Sequence, residues 1–116
     1  MLFSVVCIDK PGSAALRAAT RADHLDYMIA AAESLRYGGP LVTDDGSLSI
    51  GSLFVIDQPT RRDVDAFLAE EPYCRSGLFQ TVTVTAIRQM VPEASPGFLL
   101  QELARERVGR PSPPAS

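Results

Sequence analysis

The sequence predicts a single α+β domain of the ferredoxin-like kind. Its elements run βαββαβ, with an antiparallel sheet and helices on one face. Three observations carry this expectation. Short apolar runs rich in β-branched residues alternate with amphipathic helical stretches. A tight turn signal, Asp44-Asp45-Gly46, separates the second and third strands and so makes them a hairpin. A chain of 116 residues is enough for one hydrophobic core and too short for two.

Residues 1–8, apolar throughout except for Ser4, read as a buried central strand closed by Asp9-Lys10-Pro11-Gly12. Residues 13–21 are rich in Ala and Arg and suit a first helical turn or two. Leu25, Met28, Ile29, Ala32 and Leu35 then recur at the i, i+3, i+4 spacing of one helical face. Gly38-Gly39-Pro40 is expected to end that helix, since glycine suits a left-handed cap and proline cannot continue the hydrogen-bond ladder. Leu41-Val42-Thr43 and residues 47–56 follow as the hairpin strands. Thr60 and Asp63 form a variant capping box, after which Val64, Phe67 and Leu68 line a second helix. That helix stops at Glu71-Pro72, because the residue before proline disfavours the α region. Residues 78–90 alternate with period two and read as the last strand.

Beyond Met90 the composition changes. Residues 1–91 are therefore expected to form the domain and 92–116 a C-terminal extension. Within the extension, residues 96–108 suit a short helix whose apolar side docks on the body or on a partner subunit. Residues 109–116, with three prolines and two serines, are too poor in apolar groups to repay the entropy of ordering, and a flexible tail is expected.

Composition excludes several function classes. A net charge of −3 and a pI near 5.0 argue against binding a nucleic-acid backbone. The strand Gly51-Ser52-Leu53-Phe54-Val55-Ile56 also lacks the basic and second aromatic positions of an RNA-recognition sheet. No stretch approaches the roughly 18 apolar residues of a membrane span, and no basic n-region with an apolar core suggests export. A cytoplasmic location with reduced thiols is expected. Cys7 should pack as a small hydrophobe, and Cys74, in a turn-like segment beside Arg75, is a candidate reactive thiol. With one histidine and two cysteines, no metal motif is present. Gly38-Gly39 lacks phosphate-loop spacing and Asp44-Asp45-Gly46 lacks the further ligands of a calcium loop, so no cofactor is expected.

Both faces of the strands carry apolar residues, Phe3, Val5 and Cys7 against Leu2, Val6 and Ile8. Two helices cover only one face. An uncovered apolar sheet face usually marks an interface, which predicts a homodimer packed sheet to sheet.

Residues 1 to about 90 resemble the YciI-like (YCII-related) proteins. The resemblance rests on an ordered set of motifs. Arg21-Ala22-Asp23-His24-Leu25 stands at the expected start of the first long helix, Gly39-Pro40 after it, and Gly51-Ser52 opens the third strand. Glu71-Pro72-Tyr73 then precedes Gly77-Leu78-Phe79 and the last strand. The resemblance implies a dimeric α/β-barrel type of ferredoxin-like fold, with a pocket beside the histidine. It also implies that the histidine and the aspartate of an Asp-Pro motif act as an acid/base pair. Glu71 stands in place of that aspartate, one methylene longer. Most members have no assigned reaction, and a dehydrochlorinase of chlorinated hydroxyquinols is ascribed to one branch.

The candidate catalytic residues are thus His24 and Glu71. Histidine is the one side chain that titrates near neutrality without help, and a helix start would favour its neutral form. The bland alternative is an exposed or capping histidine. Glu71 is a partner for His24, or else a surface carboxylate at a helix end that seeks Arg75. Ser52 and Tyr73 offer hydroxyls to a substrate oxygen, or satisfy the backbone near turns. Arg21 is a partner for an anionic substrate, or a solvated helix-start arginine. Two function classes remain. One is a small enzyme performing proton transfer or elimination on a compact, aromatic or lactone-like molecule. The other is a non-catalytic small-molecule-binding or regulatory module of the same fold.

Overall fold

The structure is a computed structural model and describes residues 1–109. It has an antiparallel sheet of four strands in the order β2-β3-β1-β4. These are β1 (Leu2–Asp9), β2 (Leu35–Val42), β3 (Ser49–Asp57) and β4 (Phe79–Ile87). Helix α1 (Ala14–Ala30) joins β1 to β2, and α2 (Arg61–Glu70) with the single turn α3 (Pro72–Arg75) joins β3 to β4. β3 lies between β1 and β2, so the first βαβ unit is split by the hairpin strand, as the ferredoxin-like fold requires. The hairpin turns at Gly46, in the left-handed region at φ +75, with Asp45 accepting hydrogen bonds from Thr43 and Ser47.

The register places Phe3, Val5 and Cys7 beside Ile56, Phe54 and Ser52 on the helix-covered face. There Val64, Phe67 and Leu68 of α2 close the core. Tyr27 and Met28 of α1 and its C-cap Ala31 pack against it, and the Tyr27 hydroxyl donates to the Phe67 carbonyl oxygen at 2.7 Å. Thr60 caps α2 through the expected box with Asp63. The opposite face presents Leu2, Val6 and Ile8 with Leu53 and Val55 of β3 and Ile87 of β4. Neither α1 nor α2 covers it, since both pack on the Phe3, Val5 and Cys7 side.

Three sequence expectations are corrected. The first long helix is one continuous element from Ala14 to Ala30 and does not reach Gly38. Of the stripe that suggested its buried face, Leu25 and Ile29 are exposed while Met28 packs on the core, and the helix also turns Arg17, His24 and Tyr27 inward. Gly38-Gly39-Pro40 lies inside β2. Proline is tolerated there because β2 is an edge strand and Pro40 has no amide to contribute. Cys74 sits in α3 rather than in an open turn. Burial pushes its thiol well above the ordinary range, helped by the Glu71 charge, so the sequence-level idea of a reactive thiol does not hold. Cys7 is likewise pushed up to about 12 by burial, and both cysteines are free.

The last strand ends at Ile87, short of Met90, and α4 (Phe98–Val108) follows. No residue of α4 is fully buried, and Phe98 and Leu99 at its start are half-buried. The expected flexible tail falls on residues 109–116, of which 110–116 lie outside the described residues. No helix among the described residues is long and apolar enough to cross a membrane.

Candidate active site

Helix α1 supplies two inward polar side chains seven residues apart, Arg17 and His24. That spacing is about two turns, some 10.5 Å along the axis, on one face. Tyr73 fills the gap between them. Its ring stacks on the His24 imidazole with centroids 4.0 Å apart and planes inclined by 18°. The Arg17 guanidinium carbon lies 4.7 Å from the same ring centroid. Tyr73 thus packs against both the imidazole and the guanidinium.

Glu71 is fully buried, at 0% exposure. Pro72 keeps it out of the helical region, at φ −67 and ψ 126, so the chain breaks between α2 and α3. The same residue caps α3. One carboxylate oxygen, Oε2, accepts the Cys74 backbone N–H at 3.0 Å, while Oε1 lies 2.6 Å from His24 Nδ1. Burial works against its charge, but the His24 hydrogen bond and the backbone N–H groups of Cys74 and Tyr73 outweigh burial and hold the carboxyl below its ordinary range. An ionised carboxylate only accepts. His24 Nδ1 therefore carries a proton, and in the neutral ring Nε2 is the nitrogen with a free lone pair.

Glu71 does end α2, but the alternative that it is a surface carboxylate seeking Arg75 is corrected. Arg75 approaches Glu70, at 3.7 Å, whereas Glu71 stands at a helix start, where the dipole favours an anion. The expectation that His24 begins its helix is also corrected, since ten residues of α1 precede it. The orientation of the imidazole is set by Glu71 and Tyr73, and the helix terminus is too far away to act on it.

Ser52 is buried on β3 and its Oγ accepts from Arg17 Nη2 at 3.0 Å. Arg21 is exposed at the cavity rim and makes no ion pair among the described residues. His24, Ser52, Tyr73 and Arg21 line one cavity of about 420 Å³ between α1 and the β2–β3 half of the sheet. Gly38 and Pro40 of β2 form part of its wall. A void of this size matches a small organic molecule. All five sequence-selected residues thus converge, with Glu71 behind His24 rather than on the wall.

Sequence reasoning missed Arg17. It holds Asp9 through both oxygens, at 2.8 and 3.1 Å, and also donates to the Gly51 carbonyl oxygen at 2.7 Å. Burial opposes its charge, yet the Asp9 carboxylate more than restores it and the guanidinium stays firmly protonated. The signal was its heptad spacing from His24, which the misplaced helix start concealed.

No curated protein matches the chain. Among solved structures it is similar to 5-chloro-2-hydroxyhydroquinone dehydrochlorinase (TftG) from Burkholderia phenoliruptrix AC1100, in complex with 2,5-dihydroxybenzoquinone. That likeness has 26% identity and a TM-score of 0.74, covering 80% of this chain and 99% of the other. Weaker likenesses are to Rv0793 from Mycobacterium tuberculosis, at 20% identity, TM-score 0.47 and coverage of 82% and 100%, and to a hypothetical protein from Pyrococcus horikoshii, at 11%, 0.41 and the same coverage. The model of the YCII-related domain matches residues 1–88. With that span matched, the chain belongs to the YCII-related domain family.

Proposed function

We propose that this protein is a small acid–base enzyme in which His24, oriented by Glu71, transfers a proton on a compact cyclic substrate, aromatic or lactone-like. The observation that carries the reading is the 2.6 Å contact between His24 Nδ1 and a fully buried, ionised Glu71. It leaves Nε2 as the free base. A carbon- or oxygen-bound proton of the substrate passes to Nε2, and the electron pair left behind either moves onto a conjugated oxygen or expels a leaving group from a neighbouring atom. The imidazolium formed is balanced by the Glu71 charge at its back. The similarity to a dehydrochlorinase of a chlorinated hydroxyhydroquinone supports elimination as the first chemistry to assay.

The working unit in this reading is a homodimer. Its support is the uncovered apolar sheet face, where Leu2, Val6, Leu53 and Val55 stand with neither α1 nor α2 over them. Residues 1–91 form the working domain and 92–116 an extension, in which Leu100 and Leu103 of α4 are exposed and can meet the partner.

The test is chloride release from 5-chloro-2-hydroxyhydroquinone, extended to a panel of chlorinated dihydroxybenzenes and lactones, with wild type beside His24→Asn. General-base catalysis contributes about 10²–10⁴-fold, so turnover falls by about three orders of magnitude while the fold persists. Turnover that survives the substitution refutes the reading. Binding without turnover across the panel favours the non-catalytic module.

A further inference from the structure

The hydroxyls of Ser52 and Tyr73 share an arrangement that backbone satisfaction does not explain. Arginine donates and never accepts. Because Arg17 Nη2 donates to Ser52 Oγ at 3.0 Å, the Ser52 proton must point elsewhere, and no acceptor for it exists among the described residues. Tyr73 is 1% exposed, yet its hydroxyl likewise has no acceptor there. Its hydrogen-bond partner is Arg17, which can only donate, so the phenol proton is not taken up by that contact, and Tyr73 is one of the residues lining the cavity. Burial raises the Tyr73 phenol above its ordinary range, against the pull of Arg17 and Arg21, so it remains a protonated donor at neutral pH.

Charge points the same way. The cavity wall contains Arg17, Arg21 and His24 but no carboxylate. Asp9 is turned onto Arg17, and Glu71 onto His24 and the Cys74 amide. Arg21 is left with no ion-pair partner among the described residues.

We propose that this corner is an oxyanion subsite for a small organic monoanion. Ser52 and Tyr73 donate their hydroxyls to its charged oxygen, Arg21 supplies the balancing charge, and Arg17 is the positioning residue that aims both donors. The proposal rests on the acid–base reading and names the class of substrate that site takes. Arg17 acts in two ways: it occupies the Ser52 lone pair that would otherwise accept, and it packs on the Tyr73 ring that also stacks on His24. The bound oxygen then lies beside the base, so a proton removed by His24 leaves its charge next to donors already in place.

The test uses two probes of one shape, benzoate and its neutral counterpart benzamide, titrated into the full chain at neutral pH and followed by heteronuclear NMR. Charge-assisted hydrogen bonds are about twice as strong as neutral ones, so benzoate binds about tenfold tighter or more, with shifts centred on Ser52 and Tyr73. The benzoate-to-benzamide ratio falls towards one in Arg21→Gln, in Ser52→Ala and in Arg17→Lys. Equal affinity in the wild type, or benzoate shifts confined to another surface, overturns the subsite. If Arg17→Lys weakens both probes alike and leaves the ratio intact, Arg17 is a structural residue only and its positioning role is overturned. His24→Asn separates the two proposals: retained turnover in that variant ends the acid–base reading, whereas the probe ratio alone decides the subsite.

Discussion

Replacing Glu71 by Gln changes one oxygen for a nitrogen and removes one charge, and the structure dictates which oxygen is lost. The backbone N–H of Cys74 can only donate, so the amide oxygen of the new side chain must face it at the position Oε2 now holds, 3.0 Å away. The amide nitrogen then faces His24 Nδ1, where a carboxylate oxygen stood at 2.6 Å. Two donors cannot meet at that distance. The imidazole therefore moves its proton to Nε2 so that Nδ1 can accept, and the nitrogen presented to the substrate is no longer a base. A wrong-tautomer histidine of this kind costs about 10⁴-fold in kcat, and we expect a loss of about 10³–10⁴-fold.

Stability falls much less in this variant. A hydrogen bond to a charged group contributes about 1.5–3 kcal/mol and a neutral one about 0.5–1.5, so the variant loses about 1–2 kcal/mol at pH 7. The sign of its pH dependence follows from the depressed Glu71 carboxyl. A group lowered in the folded state contributes fully above its unfolded value, about 4.3, and loses that contribution as pH falls through the folded value. Wild type and Glu71→Gln should therefore differ near neutrality and converge in acid. Urea unfolding at pH 7 and at pH 3 measures the difference, and ¹⁵N shifts of the imidazole report the tautomer. A variant whose Nε2 stays unprotonated and whose turnover is unchanged would show that Glu71 does not set the state of the histidine.

Two further outcomes are expected. Gly51→Ala should destabilise by more than about 2 kcal/mol in denaturant unfolding, because a Cβ there collides with the Cys7 carbonyl oxygen of the neighbouring strand, a backbone atom that cannot swing aside; a change under 0.5 kcal/mol would show that β1 and β3 give way easily. Light scattering should return twice the 12.5 kDa chain mass at micromolar concentration, and Val6→Lys, on the uncovered face, should return the monomer. A monomeric wild type defeats the sheet-to-sheet dimer.

How much of this protein was legible in its sequence differs from element to element, for physical reasons. β1, β3, β4 and α2 were readable because local rules and tertiary packing agree there. The Thr60–Asp63 box and the Val64, Phe67 and Leu68 stripe are satisfied within one helix and one core. Helix α1 was misread because its inward face is the site. Arg17 and His24 occupy positions that a purely structural helix would give to apolar residues, while Leu25 and Ile29 remain outside. Periodicity therefore reported only part of the inward face, through Met28, and the wrong end. Gly38-Gly39-Pro40 misled in turn, since only the sheet order shows that β2 is an edge where proline costs no ladder bond.

The sequence by itself determined the residue types of the site and the order of the elements that carry them. His24 was selectable as the one histidine of the chain, and Glu71, Tyr73, Ser52 and Arg21 through the motifs in which they stand. Only the tertiary structure decided their relations. It turned Glu71 from a surface carboxylate into a buried cap bonded to both Cys74 N–H and His24, and it set Tyr73 against both His24 and Arg17 of α1. It also brought Asp9 and Ser52, far apart in the chain, onto one guanidinium. Each of these depends on contacts between residues remote in sequence, and such contacts leave no local period for a linear reading to detect.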